Sequence, residues 1–314
     1  MVDNPLMIWS CYDIGSGNRT DEDPKHCLDV WKDRNKFLES KGIKLKLIVP
    51  KKSLRMPGIF SVLDVLEREH PDWLVESPGI RKKGSEIIYD RRIAWPRDNF
   101  QIFGDTVYTP IVDFEHTSYF FGNLGINSEV KASRIGEGGF SVKANGTVIV
   151  ADYPDILDRD IQEVEAKGYR VFQMPTSNFE NFSGEQAISF LERISKNRHL
   201  DTELNCAETP SGNLVLVVTQ DYYRAFRSQV KDLRKKTDAK LRVLKDQREI
   251  AGKAVNFVQL PDKTVLTSQN YSELPRLLRK DLGKDRVHQI ETFPGEYTFL
   301  NGGGGLRCRT NFVY

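Results

Sequence analysis

Residues 139–152, GFSVKANGTVIVAD, decide the fold. They read as a strand, a tight turn at Asn145-Gly146 and a second strand rich in Val, which is a β-hairpin. Three other stretches align with it on their turns: 98–110 (DNFQIFGDTVYTP), 204–218 (LNCAETPSGNLVLVV) and 255–268 (VNFVQLPDKTVLTS). Their turns fall at Gly104-Asp105, Ser211-Gly212 and Pro261-Asp262-Lys263. Between the hairpins lie apolar stripes at helical spacing: Leu157, Ile161 and Val164; Phe226, Val230 and Leu233; Leu274, Leu277, Leu278 and Leu282. Short apolar strands follow at 44–50, 169–175, 240–246 and 286–291. A unit of helix, strand and hairpin therefore recurs every ~40 to 65 residues, the period of a closed or stacked array. Residues 55–90 fit the unit poorly and read as an inserted helix carrying Ile59, Val62, Leu63 and Leu66, followed by a loop.

The 314 residues are enough for a large core and are read as one domain, 1–314. Lys and Arg total 46 against 44 Asp and Glu, a net +2, so neither nucleic acid nor an anionic membrane is the expected partner. Residues 1–8 lack a basic segment leading into an apolar one, and no window approaches ~18 consecutive apolar residues, so a cytoplasmic protein is expected. Cys11, Cys27, Cys206 and Cys308 form no C-x-x-C pair, which argues against a zinc site and a redox motif; no metal and no cofactor are expected.

Chemistry enters at the C-terminus, where residues 301–311 read NGGGGLRCRTN. Four glycines allow the backbone to wrap closely around whatever a Cys308 thiolate attacks. Upstream stand Arg97-Asp98-Asn99-Phe100, then Gly136-Glu137-Gly138-Gly139, then His199-Leu200-Asp201-Thr202. Taken singly, each has a plain structural reading: a buried thiol at Cys308, a cation near a helix C-terminus at His199, a surface ion pair at Arg97-Asp98 and a turn at Gly138-Gly139. Their occurrence together, at matching places of a repeated unit, favours an active site. The order also separates this chain from papain-like hydrolases, whose cysteine precedes the histidine. A phosphate-binding reading of Gly302 to Gly305 fails because no Lys-Ser/Thr follows.

In this order of motifs, R-D, E-G-G, H-x-D and G-G-G-x-x-C, the chain resembles the pentein superfamily of guanidine-modifying enzymes: arginine and agmatine deiminases, dimethylarginine hydrolases and amidinotransferases. The resemblance spans nearly the whole chain. It implies a five-bladed α/β propeller of ββαβ-type units around a central site. It also implies roles: Cys308 as nucleophile, His199 as general acid/base, Glu137 as the carboxylate that supports the histidine and binds substrate, and Asp98 and Asp201 as carboxylates gripping a guanidinium. Hydrolysis of arginine or a related guanidino compound, of the arginine deiminase type, is the leading expectation; amidino transfer to an amine and a non-catalytic binding protein are the alternatives. Where arginine deiminases often carry an arginine for the substrate carboxylate, Gly303 stands here. Arg134, Arg91, Arg92 and Arg307 are the replacements considered, with Arg134 preferred. A small guanidino molecule is the expected partner, and a homodimer is a compatible assembly. Gly15-Ser16-Gly17-Asn18 reads equally as a lid or a surface loop, and His26, His70, His116 and His288 read as structural.

Overall fold

The computed structural model describes residues 5–10, 24–50, 61–77, 81–83, 86–88, 99–154, 156–176, 199–251, 253–291, 306–307 and 310–313. Each hairpin anticipated from its turn is present, and each is followed by a helix and a strand parallel to the second hairpin strand. The clearest case is β9 (Ser141–Ala144) and β10 (Thr147–Ala151), antiparallel with Thr147 opposite Ala144. Asn145 and Gly146 both have positive φ, 48° and 64°, which is what a two-residue turn matched to the strand twist requires. Helix α4 (Asp158–Ala166) then returns the chain to β11 (Arg170–Met174), parallel to β10.

The same path is taken by β12 (Leu204–Glu208), β13 (Leu214–Thr219), helices α5 (Gln220–Ala225) and α6 (Arg227–Thr237), and β14 (Lys240–Leu244). It is taken again by β15 (Val258–Gln259), β16 (Val265–Ser268), α8 (Glu273–Leu282) and β17 (Val287–Ile290), with the short α7 (Gln247–Ala251) preceding that hairpin. Earlier in the chain, β6 (Gln101–Phe103), β7 (Thr106–Thr109), α3 (Phe114–Asn123) and β8 (Glu129–Ala132) form the corresponding unit. Its helix and last strand were not anticipated.

The remaining unit is built from both ends of the chain. Strand β18 (Thr310–Val313) lies antiparallel to β1 (Leu6–Ser10), with Trp9 opposite Thr310, and β1 pairs in parallel with β2 (Lys44–Pro50) after α1 (Pro24–Glu39). The segment read as an inserted helix plus a loop contains α2 (Ser61–Glu69) and a strand, β3 (Leu74–Ser77), which extends this sheet in parallel to β2. The loop expectation is corrected there: alternate residues of β3 are buried, and the strand packs beside β2 and the helix Phe114–Asn123. A short ribbon, β4 (Arg81–Lys83) with β5 (Glu86–Ile88), stands apart.

The result is a mixed α/β fold with, among the described residues, five separate sheets and one ribbon. Buried polar side chains join the sheets. Asn311 Nδ2 on β18 donates to Phe100 O at 2.8 Å, and Lys143 Nζ on β9 donates to Ile102 O at 2.6 Å. Asp201 N donates to Gly139 O at 3.3 Å, Asn205 Nδ2 on β12 donates to Val255 O and Phe257 O at 2.9 and 3.0 Å, and Arg307 N donates to Asn256 O at 2.9 Å. Asn205 and Asn311 are used alike, since each Oδ1 also accepts from the next residue's backbone N–H. Buried carbonyls between sheets need donors, and the asparagines supply them.

The four histidines read as structural have these surroundings. His70 stacks on Trp73 at 4.0 Å, His288 on Phe37 at 4.1 Å, His26 pairs with Glu291 at 2.9 Å, and His116 is buried on α3. No helix among the described residues is long and apolar enough to cross a membrane.

Candidate active site

The loop from β8 to β9 carries the E-G-G motif. Ser133 opens it by accepting the Ile135 N–H on its hydroxyl, and this fixes a single 3-10 turn over Arg134–Gly136. Arg134 and Glu137 then face the same side, with Nη1 2.8 Å from Oε2. The guanidinium of Arg134 also lies over the rings of Phe140 and Tyr153, 5.7 Å from each centroid, and those two rings stack at 5.0 Å. Glu137 is only 5% exposed, so the ion pair with Arg134 operates in a poorly solvated place.

His199 approaches from the start of the next unit. Its carbonyl accepts from the backbone N and the hydroxyl of Thr202, at 3.2 and 2.8 Å, which holds the turn over Leu200–Thr202. The imidazole Nε2 lies 3.9 Å from Glu137 Oε1, and the ring sits 5.1 Å from that of Phe140. That separation is longer than a hydrogen bond.

The two small residues of the motif are there for space. A Cβ on Gly136 would stand 2.3 Å from the backbone carbonyl of Tyr108, and one on Gly139 would stand 2.2 Å from His199 Nδ1. The imidazole thus rests against the bare Cα of residue 139. Gly139→Ala should therefore displace the ring by about an ångström and lower kcat by roughly 10²-fold, since reacting groups tolerate little misplacement. A steady-state comparison with the native protein, on a compound that it turns over, checks this, and an unchanged kcat would count against a part for His199 in turnover.

Asp201, two residues on, is fully buried, and its partner is not the expected one. Arg307 Nη1 donates to Asp201 Oδ2 at 2.7 Å and to Gly138 O at 2.8 Å, while Nη2 donates to Ser141 O at 2.7 Å. Arg307 is itself 5% exposed. Of the arginines considered for a substrate carboxylate, Arg307 is therefore committed to protein acceptors. Arg134 lies at the Glu137–His199 pair. Cys308, Asp98, Arg91, Arg92 and the 15–18 loop lie outside the described residues. Among the described residues, no three His, Cys, Asp or Glu side chains gather as a metal site.

Cys206 is the cysteine whose environment is described. Burial pushes its thiol up to about 12, against the pull of Arg307's positive charge. It stays protonated near neutrality and is unsuited to nucleophilic attack.

No protein-family model and no curated protein sequence matches the chain. Solved structures do. An agmatine deiminase from C. jejuni aligns with a TM-score of 0.55 at 15% identity, covering 99% of this chain and 93% of that one. SxtG, an amidinotransferase from Microseira wollei in the saxitoxin biosynthetic pathway, aligns at 0.53 and 14%, covering 98% and 93%. A DDAH from Pseudomonas aeruginosa, in complex with citrulline, aligns at 0.53 and 11%, covering 98% of each chain.

The chain shares the fold of these solved structures, which are members of the pentein superfamily. On this fold Glu137, His199 and Asp201 come from two adjacent units, joined where the His199 ring rests against Gly139 and Asp201 N donates to Gly139 O. Residues that the sequence reading left out are Phe140 and Tyr153, which pack the cation of Arg134. Their signal was weak, because an aromatic beside a glycine turn reads as ordinary core. Arg307 had a clearer signal, since it directly precedes Cys308, but it was considered only as a substrate contact.

Proposed function

We propose that the protein hydrolyses the guanidino group of arginine or a related compound through a covalent intermediate on Cys308, in the manner of a deiminase or dihydrolase. The observation that carries this reading is the Glu137–His199 pair, 3.9 Å apart and packed against Gly139, beside the Arg134 cation. A guanidinium is a planar cation that resists water and keeps its proton at physiological pH. Carboxylates accept its N–H groups and fix its plane; Asp98 and Glu137 are assigned that task.

The Cys308 thiolate attacks the guanidinium carbon, forming a C–S bond and a tetrahedral adduct. The adduct collapses with cleavage of one C–N bond, and His199 gives a proton to the leaving ammonia or amine. Imidazole then takes a proton from water as that water attacks the amidino carbon, and the thiolate departs from the ureido product. Glu137 stabilises the protonated imidazole through its negative charge. Arg134 is assigned to a substrate carboxylate, which it meets by exchanging or sharing Glu137. The five sheets, joined each to the next by the bonds described above, are read as the blades of an α/β propeller with this site at its centre.

Amidino transfer uses the same residues, with an amine in place of water. A panel of guanidino compounds, followed by product mass and ammonia release with and without an added amine, separates the two. Ureido product without an acceptor supports hydrolysis. Product only with an amine supports transfer, and no product from any compound contradicts the enzymatic reading.

A further inference from the structure

We propose that Asp201 and Arg307 form a positioning pair that ties the residue preceding Cys308 to the E-G-G and H-x-D turns, so that Asp201 grips the protein's own guanidinium and not the substrate's. This rests on the reading of Cys308 as the nucleophile. Two observations carry it. The first is saturation: the Arg307 guanidinium meets Asp201 Oδ2 at 2.7 Å, Gly138 O at 2.8 Å and Ser141 O at 2.7 Å, and both side chains are withdrawn from solvent. A substrate taking Asp201 as its clamp would have to evict a buried cation and leave two carbonyls without their donor, a costly exchange.

The second is that the backbones are tied together as well. Arg307 N donates to Asn256 O at 2.9 Å, Asn256 Nδ2 donates to Asp201 O at 3.3 Å, and Asp201 N donates to Gly139 O at 3.3 Å. One residue thus links three units: that of Gly138 and Ser141, that of Asp201, and that of Asn256. On the far side of residues 308 and 309, Thr310 N donates to Arg307 O at 3.2 Å, and the Thr310 hydroxyl reaches Leu306 O and Arg307 O. Consecutive Cα atoms are about 3.8 Å apart, so fixing residue 307 constrains where residue 308 begins. The same link holds Gly139, against which His199 packs. On the reading of Cys308 as nucleophile, the residue before it is thereby restrained against the turns that carry Glu137 and His199.

The test uses Asp201→Asn, Arg307→Met and Arg307→Lys in the full chain. Substrate affinity is measured by calorimetry in a Cys308→Ser background, with a guanidino compound that the native protein turns over. Positioning predicts that Asp201→Asn lowers kcat by about 10²-fold while KM and the dissociation constant stay within about threefold. It predicts that Arg307→Met does the same and that Arg307→Lys recovers part of kcat, because an ammonium replaces the charge but not the fork. A dissociation constant raised tenfold or more by Asp201→Asn, with Arg307→Met leaving affinity and kcat near native, would make Asp201 a substrate clamp and overturn the proposal. An independent readout is the rate at which iodoacetamide modifies Cys308 at pH 7, followed on its peptide with buried Cys206 as the unreactive reference. Arg307→Met should change it several-fold by releasing the backbone at residue 307, and Arg307→Lys should bring it part of the way back. Equal rates in all three proteins overturn the proposal. This arm needs no substrate, so it decides the pair even where the guanidino reading itself fails.

Discussion

Cys308→Ser is expected to abolish turnover while leaving substrate binding intact. The hydroxyl is not ionised near neutral pH, and a guanidinium carbon, stabilised by resonance, is a poor electrophile for a neutral alcohol. Loss of a nucleophile from a catalytic set of this kind costs roughly 10⁴-fold or more in kcat. Affinity should change little, because the carboxylates assigned to the guanidinium remain. No other described cysteine can substitute: Cys206 is buried, and its thiol is held up at about 12. Steady-state kinetics and calorimetry on the serine variant check both halves. Activity within tenfold of native would displace Cys308 from the mechanism, whereas lost binding with retained fold would recast it as a substrate contact.

The second large effect is on stability. Arg307→Met leaves the carboxylate of Asp201, 0% exposed, without its cation, and leaves Gly138 O and Ser141 O without a donor. Breaking one side of a buried ion pair costs about 3–5 kcal/mol. For a chain of this size each kcal/mol lowers Tm by roughly 2–4 °C, so a fall of about 6–20 °C is expected. The double variant Asp201→Leu with Arg307→Met removes both charges and should recover a good part of that loss, because the penalty lies in the orphaned carboxylate. Thermal unfolding by circular dichroism measures it. A single variant within about 1 kcal/mol of native would mean that the pair is solvated in solution.

The hairpins were legible because their turns are local. Asn145-Gly146 states its own geometry, and the Val-rich strands beside it have no other compact use. Where a unit lacks such signals it was lost. The strand β8 is Glu-Val-Lys-Ala at a half-exposed edge, and α3 carries aromatics without a clean stripe, so neither shows the periodicity by which strands and helices are read. The pairing of β18 with β1 was invisible for a different reason: Leu6 and Val313 meet from opposite ends of the chain, and nothing local announces it. Among the site residues, Glu137 and His199, 62 positions apart in the chain, lie 3.9 Å from one another. The Asp201–Arg307 contact is not legible in the sequence for a chemical reason, since a carboxylate suited to a substrate guanidinium is equally suited to an arginine of its own chain. Sequence gives the residue type, and only the fold shows which guanidinium arrives. Likewise, Gly139 reads as a flexible turn, yet its use is to make room for the imidazole.

The central claim is that Cys308 sulfur bonds to the guanidinium carbon. The most direct measurement is mass spectrometry of the protein quenched in acid during turnover, made on the native chain and on His199→Ala with a compound the native protein consumes. Both the departure of the amine and the hydrolysis that follows use the same imidazole, so the variant should accumulate the intermediate if the leaving group can draw its proton from solvent. The account predicts an amidino adduct on the peptide that contains Cys308. An adduct on Cys11, Cys27 or Cys206, or none on any cysteine in either protein while product forms, would contradict it.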